Sequence, residues 1–193
     1  MIFDFLLDSA KEFPTKTALI FENSQINYFD LNQKALSLAR TLKKNKPCVV
    51  SLLLSNSIDF CISFFGILYS GNICHVIPTS ISDSNLTNQL KLTNPSIILS
   101  NSIFEKKLSR INLNEKYSFL DITKFDFKHN SVLDCEFDTS SDSSLIALIL
   151  FSAGTTSVPK AVQLSHNNIE NTVNRVTNYL NITSNDIDVI SLP

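Results

Sequence analysis

Three consecutive segments constrain what this chain can become. CVVSLLLS (48–55) is a short apolar run rich in strand formers, IDFCISFFGILYSG (58–71) is apolar nearly all round, and NICHVIP (72–78) is short and apolar again. A short apolar run reads as a strand buried on both faces, and a helix that is apolar all round reads as a buried one. Asn56 or Ser57 is placed to cap the helix, and Gly71 to stop it.

The rhythm extends both ways. Leu31, Ala35, Leu38, Ala39 and Leu42 recur at helical spacing, with Asp30 ahead of them and Arg40, Lys43 and Lys44 behind. This spacing predicts an amphipathic helix over about 30–45, with Asp30 as N-cap and the basic residues on the C-terminal dipole. Residues 82–94 read as a polar helix capped by Ser or Asp and broken by Pro95, with a strand in SIILS after it. Residues 101–144 show less pattern: a short strand over 117–122, then a loop rich in Ser and Asp at 138–144. LIALILF (145–151) follows. Ile169, Val173, Val176 and Leu180 form a helical stripe over 166–180, and a further strand is expected over 187–193. Alternation over most of the length predicts an α/β fold with a largely parallel sheet flanked by helices.

Composition excludes several classes. The net charge is −2 and the basic residues are scattered, which argues against nucleic acid or a membrane surface as partner. MIFDFLLDSAKEF has no basic lead and carries Asp4 and Asp8, so it is not a secretory signal. The longest apolar run, 60–68, is too short to span a bilayer, and a cytoplasmic protein is expected. Cys48, Cys61, Cys74 and Cys135 lie far apart with no metal-binding spacing, so neither zinc nor a disulfide framework is expected. His75 reads as a packed histidine at a strand end.

The stretch FSAGTTSVPKAVQLSHNN (151–168) carries the chemistry. It joins the apolar segments LIALILF and AVQL and holds one of three glycines in the chain. A glycine allows a left-handed turn, so successive N–H groups can point at one anion. Ser152, Thr155, Thr156 and Ser157 add hydroxyls, and Lys160 adds a mobile charge behind Pro159. The same composition also suits a hairpin turn whose hydroxyls bond their own backbone. Neither G-x-x-x-x-G-K-[ST] nor G-x-G-x-x-G occurs.

S-A-G-T-T-S-V-P-K-A-V-Q-L-S-H-N-N resembles the phosphate-binding signature of the adenylate-forming superfamily: acyl-CoA synthetases, luciferases and the adenylation domains of peptide synthetases. The usual wording there is T-S-G-T-T-G-x-P-K-G-V-x-L-S-H-x-N. Gly154, Thr155, Thr156, Pro159, Lys160, Val162, Leu164, Ser165, His166 and Asn168 match in unbroken register. Upstream, FPTKTALIFENSQINYFDLNQKALSLARTL and SLLLSNSIDFCISFFGILYSGNICHVIPTSI resemble two earlier blocks of the same family, in order and at normal spacing. Ala153, Ser157 and Ala161 depart from the pattern, standing where the family has Ser or Gly, Gly and Gly.

The resemblance implies a two-step ligase. A carboxylate attacks the α-phosphate of ATP, and the acyl group then passes to the thiol of CoA or of a carrier-protein phosphopantetheine. It implies that Ser152, Gly154, Thr155, Thr156, Ser157 and Lys160 hold the ATP phosphates and that magnesium is required. It assigns no catalytic or metal-ligating residue within these 193 positions. His166, Tyr69 and Asp59 are given no chemistry. The chain is expected to be an incomplete N-terminal AMP-binding domain over 1–193, with the phosphate loop at 152–160 and no C-terminal lobe. Alone it is expected to be inactive. A second reading makes it a non-catalytic partner that completes or regulates a separately encoded remainder, and a third a plain α/β domain whose loop is only a turn. Fatty, amino and aryl acids all remain open as substrates.

Overall fold

A computed structural model of the chain describes residues 1–111, 116–127, 142–152 and 159–189. Helix α1 (Ile2–Glu12) buries Ile2, Phe3, Leu6 and Ala10. Strands β1 (Thr17–Phe21) and β2 (Ser24–Asn27) form a separate antiparallel hairpin. Helix α2 (Tyr28–Leu42) buries the whole stripe read from the sequence. Its cap is Asn27 and not Asp30: the Asn27 side chain accepts from the Asp30 N–H at 2.7 Å, which places Asp30 in the first turn. The helix ends at Leu42 because Lys43 is extended, so Arg40 supplies the last-turn charge.

Strand β3 (Val49–Leu52), helix α3 (Ile58–Tyr69) and strand β4 (Ile73–Val76) follow as expected. Ser57 caps α3, and Gly71 just past its end has φ +75°. Helix α4 (Asp83–Thr93) is capped by Ser82 and closed by Asn94 in the left-handed region, directly before Pro95. Strand β5 (Ile97–Ser100) comes next. Helix α5 (Ser102–Arg110), which the sequence reading did not anticipate, is nucleated by Asn101. Strand β6 (Ser118–Asp121), strand β7 (Ile146–Phe151), strand β8 (Ala161–Ser165) and helix α6 (His166–Leu180) complete the order. Of the strand expected over 187–193, residues 187–189 carry no strand pairing among the described residues and lie exposed; the remainder lies outside the described residues.

The six-stranded sheet has the order β6-β5-β3-β4-β7-β8. Neighbours from β6 to β7 are parallel, and β8 runs antiparallel to β7. One face carries α1, α2 and α3 over Val50, Leu52, Cys74 and Leu99. The other carries α4 and α5 over Leu53, Ile77 and Ile98. This is the expected α/β sheet, largely parallel and flanked by helices. Cys48, Cys61 and Cys74 are free thiols and Cys135 lies outside the described residues. Among the described residues no helix is long and apolar enough to cross a membrane.

Candidate functional site

In a parallel sheet all strands point their carboxyl ends to one edge, and ligands of open α/β folds bind in the crevice there. The segment 152–160 leaves β7 at that edge and returns through β8. Its base is closed by two hydrogen bonds: Ser152 N–H donates to the Lys160 carbonyl at 3.0 Å, and Lys160 N–H donates to Ser152 Oγ at 3.2 Å. Ser152 and Lys160 are both exposed, and these contacts hold the two residues side by side at the base of the loop. Gly154, Thr155, Thr156 and Ser157 lie outside the described residues, as does Ala153. The loop is framed as a hairpin connection, since Phe151 pairs with Ala161 and Ile146 with Ser165 across antiparallel strands. A hairpin frame and a phosphate cradle are compatible, because the ladder fixes only the two ends of the segment.

Beneath the loop lies a buried polar group that the sequence reading did not connect with it. His75, next to last in β4, is fully buried, and its ring centroid lies 5.3 Å from that of Phe151, the residue before Ser152. Ser51 Oγ meets His75 Nδ1 at 2.8 Å, and Thr93 Oγ1 approaches the same nitrogen at 3.3 Å. His75 Nε2 faces Gln89 Oε1 at 3.4 Å. This network selects the neutral ring with its hydrogen on Nε2, donating to Gln89. Burial pushes the His75 pKa down to about 4, with the Gln89 bond pulling weakly the other way. The sequence signal was present: Ser51 and His75 are the polar members of otherwise apolar strands.

His166 does not belong to this site. Its β8 neighbour Ser165 pairs with Ile146, at the opposite end of β7 from the loop, so about five strand residues or ~17 Å separate it from Lys160. Tyr69 is buried near the end of α3 and donates to Asn32 Oδ1 at 2.6 Å. Asp59 lies in the first turn of α3, its pKa raised by burial against the pull of Lys34. Among the described residues no group of three or more His, Cys, Asp or Glu is placed to hold a metal.

A mostly parallel sheet with helices on both faces and a loop at its carboxyl edge defines an open α/β fold. O-succinylbenzoate coenzyme A synthetase from Bacillus subtilis in complex with AMP superposes with a TM-score of 0.84 at 22% identity, covering 98% of this chain and 49% of that one. The same synthetase with ATP and a magnesium ion gives 0.82 at 21% identity, covering 98% and 50%. In sequence, tyrocidine synthase 1 of Brevibacillus parabrevis is 24% identical over 182 residues, 93% of this chain and 16% of that protein. The chain thus spans half or less of each relative. The family model of the AMP-binding enzymes matches residues 6–193, and the chain belongs to that family.

Proposed function

We propose that this chain is the phosphate-holding front part of an AMP-dependent ligase. That ligase activates a carboxylic acid with ATP to an acyl-adenylate and passes the acyl group to a thiol of CoA or of a carrier-protein phosphopantetheine. The observation that carries the reading is the family match over 6–193 together with Ser152 and Lys160 held at the loop base on the carboxyl edge. One similar structure points the same way: the synthetase is described in complex with ATP and a magnesium ion. Ser152, Gly154, Thr155, Thr156, Ser157 and Lys160 would hold the β- and γ-phosphates. Hydroxyls and backbone N–H groups would orient the leaving pyrophosphate, and Lys160 would offset its charge. The exposed position of Lys160 fits a polyphosphate. Magnesium would bind through the nucleotide, with no ligand assigned in this chain.

Direct binding tests the reading. Pyrophosphate with magnesium is expected to bind the purified chain, and Lys160→Ala to weaken it about tenfold, the loss of one charge-assisted contact. Equal affinity of the two proteins would remove Lys160 from the site. The chain alone is expected to show no carboxylate-dependent ATP–pyrophosphate exchange. Exchange by the purified chain would overturn its assignment as an inactive front part.

A second reading has its own observation. Val173, Val176 and Leu180 of the helical stripe are exposed on α6, together with Tyr179. An apolar face of this kind suits a partner that completes or regulates the fold. Stable one-to-one association with a polypeptide corresponding to the second half of a family member would support it. A monomer that ignores such a polypeptide would count against it.

A further inference from the structure

The amino-terminal edge of the sheet, opposite the loop, holds a cavity of about 420 Å³. Phe3, Leu68, Tyr69, Ile73, Leu145 and Ile146 line it with apolar surface. That volume falls within the range of small-molecule sites, which are mostly apolar with a few placed polar groups. His166 supplies such a group here. It lines the cavity, is 4% exposed, and its Nδ1 meets no hydrogen-bond partner among the described residues. A buried polar atom without a partner is costly, and native structures rarely keep one without a reason. The Phe3 ring packs edge-on against the imidazole at 5.8 Å, and the backbone is anchored by the His166 N–H donating to the Leu145 carbonyl at 3.1 Å.

The electrostatics of the rim favour a neutral ligand. The Met1 ammonium borders the cavity but is engaged by Asp4 at 2.5 Å and by Glu170 at 3.7 Å. Burial first, and the Met1 ammonium second, hold His166 below the ordinary imidazole range, against the pull of Asp4 and Glu170. A neutral imidazole keeps one nitrogen free to accept a hydrogen bond. Lys43 also stands at the rim, so an acidic ligand serves as the competing arm of the test.

We propose that this cavity is a binding site for a neutral, largely apolar small molecule, of the aromatic-alcohol class, whose hydroxyl donates to His166 Nδ1. The site is separate from the phosphate loop and does not depend on adenylation.

Titration calorimetry of the whole chain with 2-naphthol, naphthalene and 2-naphthoate tests it. 2-Naphthol is expected to bind, and naphthalene about five- to tenfold more weakly, the worth of one buried hydrogen bond. His166→Phe should abolish that preference, and Leu145→Trp, which plugs the mouth, should abolish binding. Since either variant could unfold, the ¹⁵N resonances of the His166 ring in the unmodified chain give an independent reading: Nδ1 is expected to move on adding 2-naphthol. No binding of 2-naphthol at millimolar concentration, equal affinity for naphthalene, tighter binding of 2-naphthoate, or an unmoved Nδ1 resonance would each overturn the proposal.

Discussion

Gly66 sits where α3 packs on α2. A Cβ built there would lie 2.9 Å from Leu38 Cδ2 and 3.1 Å from the Ala35 carbonyl oxygen. A backbone carbonyl cannot step aside as a side-chain tip can. Gly66→Ala is therefore expected to cost about 1–3 kcal/mol, read from the urea midpoint. His75 carries a pH dependence of definite sign. Its folded pKa of about 4 lies below the ordinary 6.5, so the unfolded chain takes up a proton first as the pH falls. Stability is full above pH 6.5 and declines toward pH 4, by up to about 3 kcal/mol, with His166 acting in the same sense. His75→Asn should flatten that decline in urea melts compared at the two ends of the window. An unchanged slope would mean that His75 does not contribute and that other groups, His166 and the carboxylates among them, set acid stability. At this scale the sequence was partly legible. Ser57 and Ser82 were readable as caps because each directly precedes its helix. Asn27 was not, since it ends a strand and caps a helix in one position. The partners of His75 were not readable either, because Gln89 and Thr93 reach it from a helix that crosses the sheet only in three dimensions.

Among the elements, α6 has the clearest start. Ser165 Oγ accepts from the Asn168 N–H at 3.1 Å while Asn168 Oδ1 accepts from the Ser165 N–H at 3.0 Å. Ser165→Ala is expected to lower stability by about 1 kcal/mol. Hydrogen exchange should localise the loss to the first turn of α6; uniform loss across the sheet would contradict it. The same Ser165 and Asn168 belong to the signature that marks the family, so a local capping motif and a family motif coincide there. The long apolar elements β3, α3 and β4 were legible because periodicity and length agreed. α5 was not: it has nine residues, and of the stripe Phe104, Leu108 and Ile111 only Leu108 is fully buried. The loop divides in the same way. Its ends are now placed by the β7–β8 ladder, whereas its chemistry rests on the register of Gly154, Thr155 and Thr156 with the family signature.

For the whole molecule, the parallel sheet and its two helical layers followed from the alternation of segments. The strand order did not, because nothing local places β5 beside β3 and not beside β4. The exposed stripe of α6 is also a property of the molecule as a whole. Replacing Val176 and Leu180 with Lys should leave thermal stability within about 0.5 kcal/mol, since both are exposed, and should reduce concentration-dependent association in sedimentation velocity. If the doubly substituted chain associates as before, the stripe is not the adhesive surface. The pairing of β4 with β7 has a consequence for synthesis. Cys74 waits for Leu148 as its partner, some seventy residues later in the chain. At roughly 5–20 residues per second the ribosome leaves that strand edge bare for about 4–15 seconds. The nascent protein thus passes through an interval with an open template for wrong pairing, and a chaperone that shields the β4 edge during that interval should raise the yield of folded chain.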